Sequence, residues 1–270
     1  MIARWLTAPQ PIWRLALLRV LVPLVVLGFL SSRLVHADYW LSPRGFQVPD
    51  LRGGDWRQPL YLPPIPPWAA WCVAAATVIS GLMLAAGFLT RVAGSVFAAL
   101  LVYLALADRL EAFTVSKLAP ALVLALVYGP SGARWGVDAW RKKSAVTVDT
   151  SGTLRFFQVF LVVMYSGSGI AKMRGDWLDK PVLWSHVHDD YQTAVSYFLV
   201  RSLPGGAWSI LQWMTLAFEV GAPLWFALRW TRRPALVAGL GMHAMIGLMF
   251  GPVIWFALLM SSLLVACYAP

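Results

Sequence analysis

The sequence has few charged residues and few cysteines for its length. Only 13% of its 270 residues are charged, whereas 59% are hydrophobic. Soluble domains contain about 25% charged residues, so this composition excludes a disordered chain and argues against an ordinary soluble domain. The only two cysteines, Cys72 and Cys267, lie in apolar stretches, where cysteine behaves as a small hydrophobic residue. The sequence therefore predicts neither a disulfide framework nor a cysteine-based metal site.

Acidic residues are also scarce. The chain has 12 Asp and Glu against 22 Lys and Arg, which gives a formal net charge of +10. In a soluble protein this excess would suggest binding to nucleic acid. Here the basic residues lie in short connections between apolar segments, where they set membrane orientation and contact anionic headgroups. We therefore expect a lipid bilayer, and no nucleic acid, as the partner.

Apolar segments long enough to be membrane-spanning helices recur along the chain. A span needs about 20 mostly apolar residues, and about 17 are tolerated. Eight segments qualify as candidates: 15–30, 67–89, 92–107, 117–129, 154–173, 207–228, 234–250 and 252–266. The pair Gly251–Pro252 marks either a turn between two spans or a kink in one long helix, so the number is eight or seven. The predicted fold is an all-α, polytopic membrane helical bundle with a single domain over residues 1–270.

Lys and Arg are concentrated on one side of this eight-helix arrangement. The cations on that side are Arg4, Arg14, Arg91, Arg134, Arg141, Lys142, Lys143, Arg155, Arg229, Arg232 and Arg233. Basic residues accumulate in cytoplasmic loops, so we expect a cytoplasmic N-terminus and a multi-pass protein of the inner (plasma) membrane. Residues 1–37 also have features of a cleavable signal peptide, but Arg19 interrupts the apolar core and favours an uncleaved first span. The long, aromatic and proline-rich connections 31–66 and 174–206 are then outer loops.

Polar side chains inside the spans are candidates for a functional site, because they are costly in hydrocarbon and usually face the bundle interior. Tyr165, Ser168 and Lys172 lie on nearly one face of the fifth span. This stripe predicts a polar cavity that ends in an amine. The alternative is that Lys172, near the end of its helix, extends to the lipid headgroups.

Glu219 is the one acid deep inside a predicted span. An isolated carboxylate in an apolar environment becomes protonated or binds a cation, so we expect a partner among Arg19, Lys172 and His243. A purely structural ion pair remains the alternative. His243 lies in the middle of its span and alone would be a packing residue, but with Lys172 and Glu219 it suggests a shared cavity.

Metal-binding patterns are weak. His186 and His188 provide donor atoms, but they lie in a loop and lack a second ligand cluster. We predict a solvated polar loop there and no metal site.

Residues 165–177, YSGSGIAKMRGDW, resemble the "sGlxKlxGxdW" signature of the HTTM domain family, the membrane domain shared with vitamin K-dependent gamma-carboxylases. Similar pieces extend over most of the chain. They are Leu18–Arg19, Tyr39–Gly45, Gly87–Arg91, Gly136–Asp138, Phe218–Glu219 and His243.

The resemblance implies a chemistry that residue spacing alone does not show. In the carboxylases, the lysine that matches Lys172 is the base that deprotonates a reduced vitamin K quinone, and a lysine acts as a base only when its amine is neutral. The resemblance therefore implies a reduced quinone or vitamin K-like molecule as cofactor, with Lys172 as base and His243 as a functional residue. We expect Glu219 to complete the catalytic group, in which His243 and Glu219 orient groups or stabilise charge. Substrate contacts are then expected from Tyr165, Ser168, Arg19 and Trp177.

Two departures count against glutamate carboxylation. Ser116–Lys117 stand where the family has Asn-His, and no large luminal region follows the last span. The first hypothesis is thus a membrane enzyme, carboxylase-like or oxidoreductase-like, acting on a quinone-like hydrophobic substrate with Lys172 as base. The second is a non-enzymatic module for assembly, maturation or immunity that docks a protein partner through the outer loops. A transporter ranks last because the sequence has no inverted repeat.

Overall fold

The computed structural model describes residues 5–46, 62–108, 114–144, 146–188 and 193–270. Apart from one two-stranded sheet, its regular elements are helices, so the predicted all-α class is confirmed. The chain forms two compact units, Met1–Leu154 and Arg155–Pro270. Parts of both predicted outer loops, residues 47–61 and 189–192, lie outside the described residues.

The first unit is built on four long helices. Its elements are β1 (Gln10–Pro11), α1 (Trp13–Leu34), α2 (Ala37–Leu41), α3 (Pro67–Ala86), α4 (Thr90–Ala107), α5 (Thr114–Tyr128), α6 (Val137–Arg141) and β2 (Val148–Asp149). α1 packs against α3 and α5, and α4 packs against α3 and α5. The strands pair antiparallel, with Gln10 opposite Asp149.

Local sequence explains the bounds of α3. Pro67 occupies the first turn, where its fixed φ suits a helix and its missing N–H costs nothing. The helix ends at Gly87, which has φ +67° and donates its N–H to the carbonyl of Leu84. A left-handed residue at this position is the usual glycine end of a helix.

The second unit contains the remaining six helices of the described chain. They are α7 (Thr153–Arg174), α8 (Val182–Val187), α9 (Ala194–Ser202), α10 (Gly205–Ala227), α11 (Arg232–Met249) and α12 (Ile254–Tyr268). A 3₁₀ turn, Gly251–Val253, separates α11 from α12, and these two helices pack against each other. The Gly251–Pro252 pair is therefore a turn between two helices and not a kink in one.

Five segments of the described chain are long and apolar enough to cross a membrane. They are α1, α3, α4, α7 and Gly251–Tyr268, which is α12 with its preceding turn. α5 is apolar but shorter. Large apolar side chains also remain exposed along the helices, including Ile79 (57%), Val163 (61%) and Val237 (70%), and lipid is the solvent that suits such surfaces. These features support a membrane protein. A helix occupies each of the eight predicted segments, while the number of spans and the side of the N-terminus stay predictions.

Candidate functional site

The centre of the candidate site is an ion pair between α7 and α10. Lys172 Nζ lies 2.7 Å from Glu219 Oε1 and 2.6 Å from Oε2. Ser168 Oγ accepts a hydrogen bond from Lys172 Nζ at 2.8 Å and donates one to Glu219 Oε1 at 3.2 Å. The lysine side chain is 21% exposed and the glutamate side chain 9%. Lys172 is thus the accessible member of the pair, and Glu219 is buried behind it.

The small residue Gly169 allows this contact. A Cβ atom added at Gly169 would lie 2.8 Å from Val220 Cγ2 and 2.9 Å from the Val220 nitrogen. Helices in membranes approach closely where a small residue faces the neighbouring backbone. Gly169 therefore brings α7 close to α10 at the level where Lys172 reaches Glu219.

The lysine lies on the wall of an open cleft of about 520 Å³. Ser168 and Trp177 also line this cleft, and the Trp177 ring centre is 5.1 Å from Lys172 Nζ, within range of a cation–π interaction. We call this space the lysine cleft. At its edge, Lys180 Nζ is 2.7 Å from Asp176 Oδ2, and this hydrogen bond, with the charge of Asp176, raises the pKa of Lys180.

Gln212 forms hydrogen bonds that hold the segment 177–183, which contains Trp177. Its side-chain amide donates to the carbonyls of Trp177 and Lys180 and accepts a hydrogen bond from the Leu183 N–H at 3.1 Å. In return, Trp177 Nε1 donates to the Gln212 carbonyl at 3.1 Å. Sequence reasoning did not include Gln212 among the site residues. The available signal was a glutamine inside an apolar segment, but its partners are loop carbonyls that no pattern in the sequence identifies.

Tyr165 and His243 form a second polar pair. The Tyr165 hydroxyl is 2.8 Å from His243 Nε2, and the two residues are 3% and 2% exposed. Their surroundings are aromatic: Phe218 meets the Tyr165 ring edge-on at 5.2 Å, and Phe256 meets His243 in the same way at 5.8 Å. His243 Nδ1 has no hydrogen-bond partner in the described part of the chain. Neither residue is among those lining the lysine cleft.

Arg19 lies in the first unit and has a different set of neighbours. Its side chain is fully buried, and Nη2 donates to the Trp135 carbonyl at 2.6 Å. Glu219 takes Lys172 as its partner among the three predicted candidates. The structure thus brings together Lys172, Glu219, Ser168 and Trp177 and pairs Tyr165 with His243, while Arg19 contacts the loop that contains Trp135.

The histidines considered as metal ligands have backbone partners. His186 Nδ1 lies 2.8 Å from the Val182 carbonyl and His188 Nδ1 2.7 Å from that of Trp184. Across the described ranges, no group of three His, Cys, Asp or Glu residues is arranged to hold a metal. Asp189 and Asp190, which follow in the sequence, lie outside those ranges.

Comparison with known proteins gives one family. The HTTM domain model matches residues 8–269, which includes nearly all of both units. No curated protein and no solved structure matches the chain significantly. Because the family model covers almost the whole chain and the helices are apolar, this membrane protein belongs to the HTTM domain family.

Proposed function

We propose that this HTTM protein binds a quinone-like, lipid-soluble molecule in the lysine cleft and that Lys172 contacts its polar ring oxygen. The observation that carries the proposal is the position of the Lys172 amine, which lies on the cleft wall with Glu219 buried behind it. In this arrangement the Lys172 ammonium group can contact a ligand that enters the cleft, while its counter-ion, Glu219, stays buried.

The shape and lining of the lysine cleft suit such a ligand. Ligand pockets are commonly about 300–1,000 Å³, mostly apolar, with a few placed polar groups, and the cleft has about 520 Å³. Trp177 offers a flat ring for stacking, and Ser168 and Lys172 supply the polar end. A ligand with a flat ring and an oxygen at its edge could stack on Trp177 and bind Ser168 and Lys172 through that oxygen.

Glu219 gives Lys172 a means of acting as a base. An ion-paired ammonium group cannot accept a proton, so Lys172 must first transfer one to a neighbour. The Glu219 oxygens, 2.6 and 2.7 Å away, are within direct proton-transfer distance. Ser168 holds both partners through its two hydrogen bonds. The neutral pair then has a free amine facing the cleft, and this amine would accept a proton from the ring hydroxyl of a bound reduced quinone.

Tyr165 and His243 take a supporting role in this proposal. They are buried on α7 and α11, and their hydrogen bond fixes the face of α7 that also carries Ser168. A reduced quinone supplies the redox chemistry when bound. The residues of this chain bind its ring, orient its oxygen and move a proton.

Native mass spectrometry of the detergent-purified protein, followed by lipid extraction, tests the proposal. Wild type is compared with Lys172→Ala, His243→Ala and the control Lys117→Ala, which alters an exposed helical lysine in the first unit. We expect a quinone to co-purify with wild type and the control and to be lost from both Lys172→Ala and His243→Ala. If all samples, including wild type, are folded but contain no bound quinone, the proposal is overturned and the partner-docking alternative is favoured.

A further inference from the structure

Two further cavities lie in the first unit and share no lining residue with the lysine cleft. Two clefts of about 790 and 780 Å³ adjoin each other around α6. Arg141 lines both, Arg134 and Lys143 line the first, and Arg91 and Lys142 line the second. We call the two together the basic cleft.

The five cations of the basic cleft form no ion pair with a carboxylate of the described residues, although the charge of Lys142 acts on Asp138. All five are exposed, and none lies within ion-pair distance of a described carboxylate. The one acid that lines the cleft, Asp138, is already engaged. Its carboxylate accepts hydrogen bonds from the Leu89 and Thr90 N–H groups and from Thr90 Oγ1, at 2.7–3.0 Å. The basic cleft therefore has a net positive charge, which favours the binding of an anion.

The basic cleft lies at the ends of apolar helices. α4 begins at Thr90 and α5 ends at Tyr128, and the cleft is lined by Thr90 and by Gly129, the residue after Tyr128. Trp135 and Trp140 line it as well and are 55% and 79% exposed. Tryptophan is enriched where a membrane helix meets the headgroup layer. The position thus points to lipid headgroups rather than to a soluble anion.

The buried Arg19 side chain holds a loop that lines the basic cleft. It donates to the Trp135 carbonyl at 2.6 Å, and Trp135 has φ +53°, a conformation unusual for a side chain of that size. Gly87 and Gly136 pack on the Arg19 guanidinium so closely that a Cβ at either would overlap Nη1. The loop that carries Arg134 and Trp135 is thus held by a buried contact.

We propose that the basic cleft binds the phosphate headgroup of anionic phospholipids. Its two halves share Arg141, so a headgroup with two phosphates, or two single headgroups, can occupy it at once. Basic pockets at the ends of membrane helices are suited to such lipids, and each Lys or Arg near the surface adds to the attraction. The proposal concerns lipid binding by the first unit and does not depend on the proposed quinone ligand.

Lipid titration followed by native mass spectrometry tests this site. Cardiolipin, phosphatidylglycerol and phosphatidylcholine are each added to the purified full-length protein. The cleft variant carries Arg134→Gln, Arg141→Gln and Lys143→Gln. The control carries Arg174→Gln, Arg229→Gln and Arg233→Gln, three exposed cations of the second unit, and so loses the same charge.

We expect wild type and the control to bind the two anionic lipids in preference to phosphatidylcholine, and the cleft variant to bind them at least about tenfold more weakly. An equal loss in both variants would overturn the proposal, because net charge alone would then explain binding. Displacement of cardiolipin by millimolar inorganic phosphate would also overturn it in favour of a soluble anion. If the cleft variant does not fold, the single variant Arg141→Gln replaces it, and unchanged cardiolipin binding by that variant contradicts the proposal.

Discussion

Lys172 and Glu219 form a double contact in which one ammonium nitrogen lies 2.7 and 2.6 Å from the two oxygens of one carboxylate. Both groups belong to helices made largely of apolar residues, and neither is fully exposed. A buried ion pair of this kind contributes little net stability when intact, but removal of one partner leaves an uncompensated charge. Substitution of either partner is therefore expected to affect stability.

Glu219→Gln is expected to lower the free energy of unfolding by about 1–3 kcal/mol, because the partly exposed Lys172 loses its counter-ion and its charged hydrogen bonds. Thermal unfolding in detergent measures this loss. Asp176→Asn is the matched control. It breaks the Lys180 pair, whose side chains are 64% and 67% exposed, and exposed pairs contribute little to stability because water screens the two charges. Equal effects of the two substitutions would contradict a buried role for Glu219.

The double variant Lys172→Met, Glu219→Leu is expected to recover most of the stability lost in Glu219→Gln. Both charges are then absent, and apolar side chains of similar size replace buried pairs without large cost. The same unfolding experiment measures the recovery. If the double variant is less stable than Glu219→Gln, then the pair contributes net stability and its role is structural.

Gln212→Ala is expected to release the segment from Trp177 to Leu183, because the variant leaves two carbonyls and one N–H without the glutamine side chain. These hydrogen bonds are partly buried, and a typical hydrogen bond contributes about 1 kcal/mol to stability. Hydrogen exchange should rise in residues 177–183 and stay unchanged in α12. Gln10→Ala serves as the control, since the Gln10 side-chain amide donates to the nearby carbonyls of Ala8 and Pro9. Unchanged exchange in residues 177–183 would show that another contact holds the segment.

A helix occupies each of the eight apolar segments identified in the sequence. These helices could be predicted because the length of an apolar run is visible in the local sequence. Helix ends were less predictable. The third segment was expected to begin at residue 92, but α4 begins at Thr90, where the Asp138 carboxylate binds the first N–H groups. That contact joins residues far apart in the sequence and leaves no local signal. The short helices α2, α6, α8 and α9 within the connections were missed for a different reason, because their apolar runs are too brief to be recognised in the sequence.

The sequence predicted which residues belong to the candidate site better than it predicted which of them contact each other. Lys172 and Ser168 share a face of one helix by periodicity, and Glu219 needed a cation. Which cation it takes depends on which helix packs at Gly169. A small residue in the sequence indicates a close helix contact but does not specify the partner helix. The partition of Tyr165 and His243 into a separate buried pair follows from tertiary packing against Phe218 and Phe256.

Gly87→Ala and Gly136→Ala are each expected to destabilise the protein by about 2 kcal/mol or more. A Cβ at Gly87 would lie 1.4 Å from Arg19 Nη1, and one at Gly136 would lie 2.2 Å from it, so overpacking displaces the buried guanidinium. Gly241→Ala is the control, because a Cβ there meets nothing within 4 Å and alanine favours a helix. Thermal unfolding should show opposite signs for the two kinds of substitution. A stable Gly87→Ala variant would contradict the position of Arg19.

The stability contributed by Asp138 is expected to depend on pH. Burial alone would raise the pKa of Asp138, but the hydrogen bonds from Thr90 and Leu89 and the charge of Lys142 outweigh it and hold the pKa below the usual range. A lowered pKa in the folded state stabilises the protein above the pKa of the unfolded chain, and this contribution disappears as pH falls through the folded value. The difference in melting temperature between wild type and Asp138→Asn should therefore be largest near neutral pH and shrink under acid. A difference that grows on acidification would contradict this assignment.

The most direct test of the central claim compares the binding of menadione with that of its reduced form, menadiol, under anaerobic conditions, by quenching of tryptophan fluorescence. If Lys172 accepts a proton from a ring hydroxyl, the reduced form should bind at least about tenfold more tightly, a difference of about 1.4 kcal/mol. Lys172→Met should abolish this preference and Lys117→Met should retain it. Equal binding of both forms, or tighter binding of the oxidised form, would contradict a role for Lys172 as base.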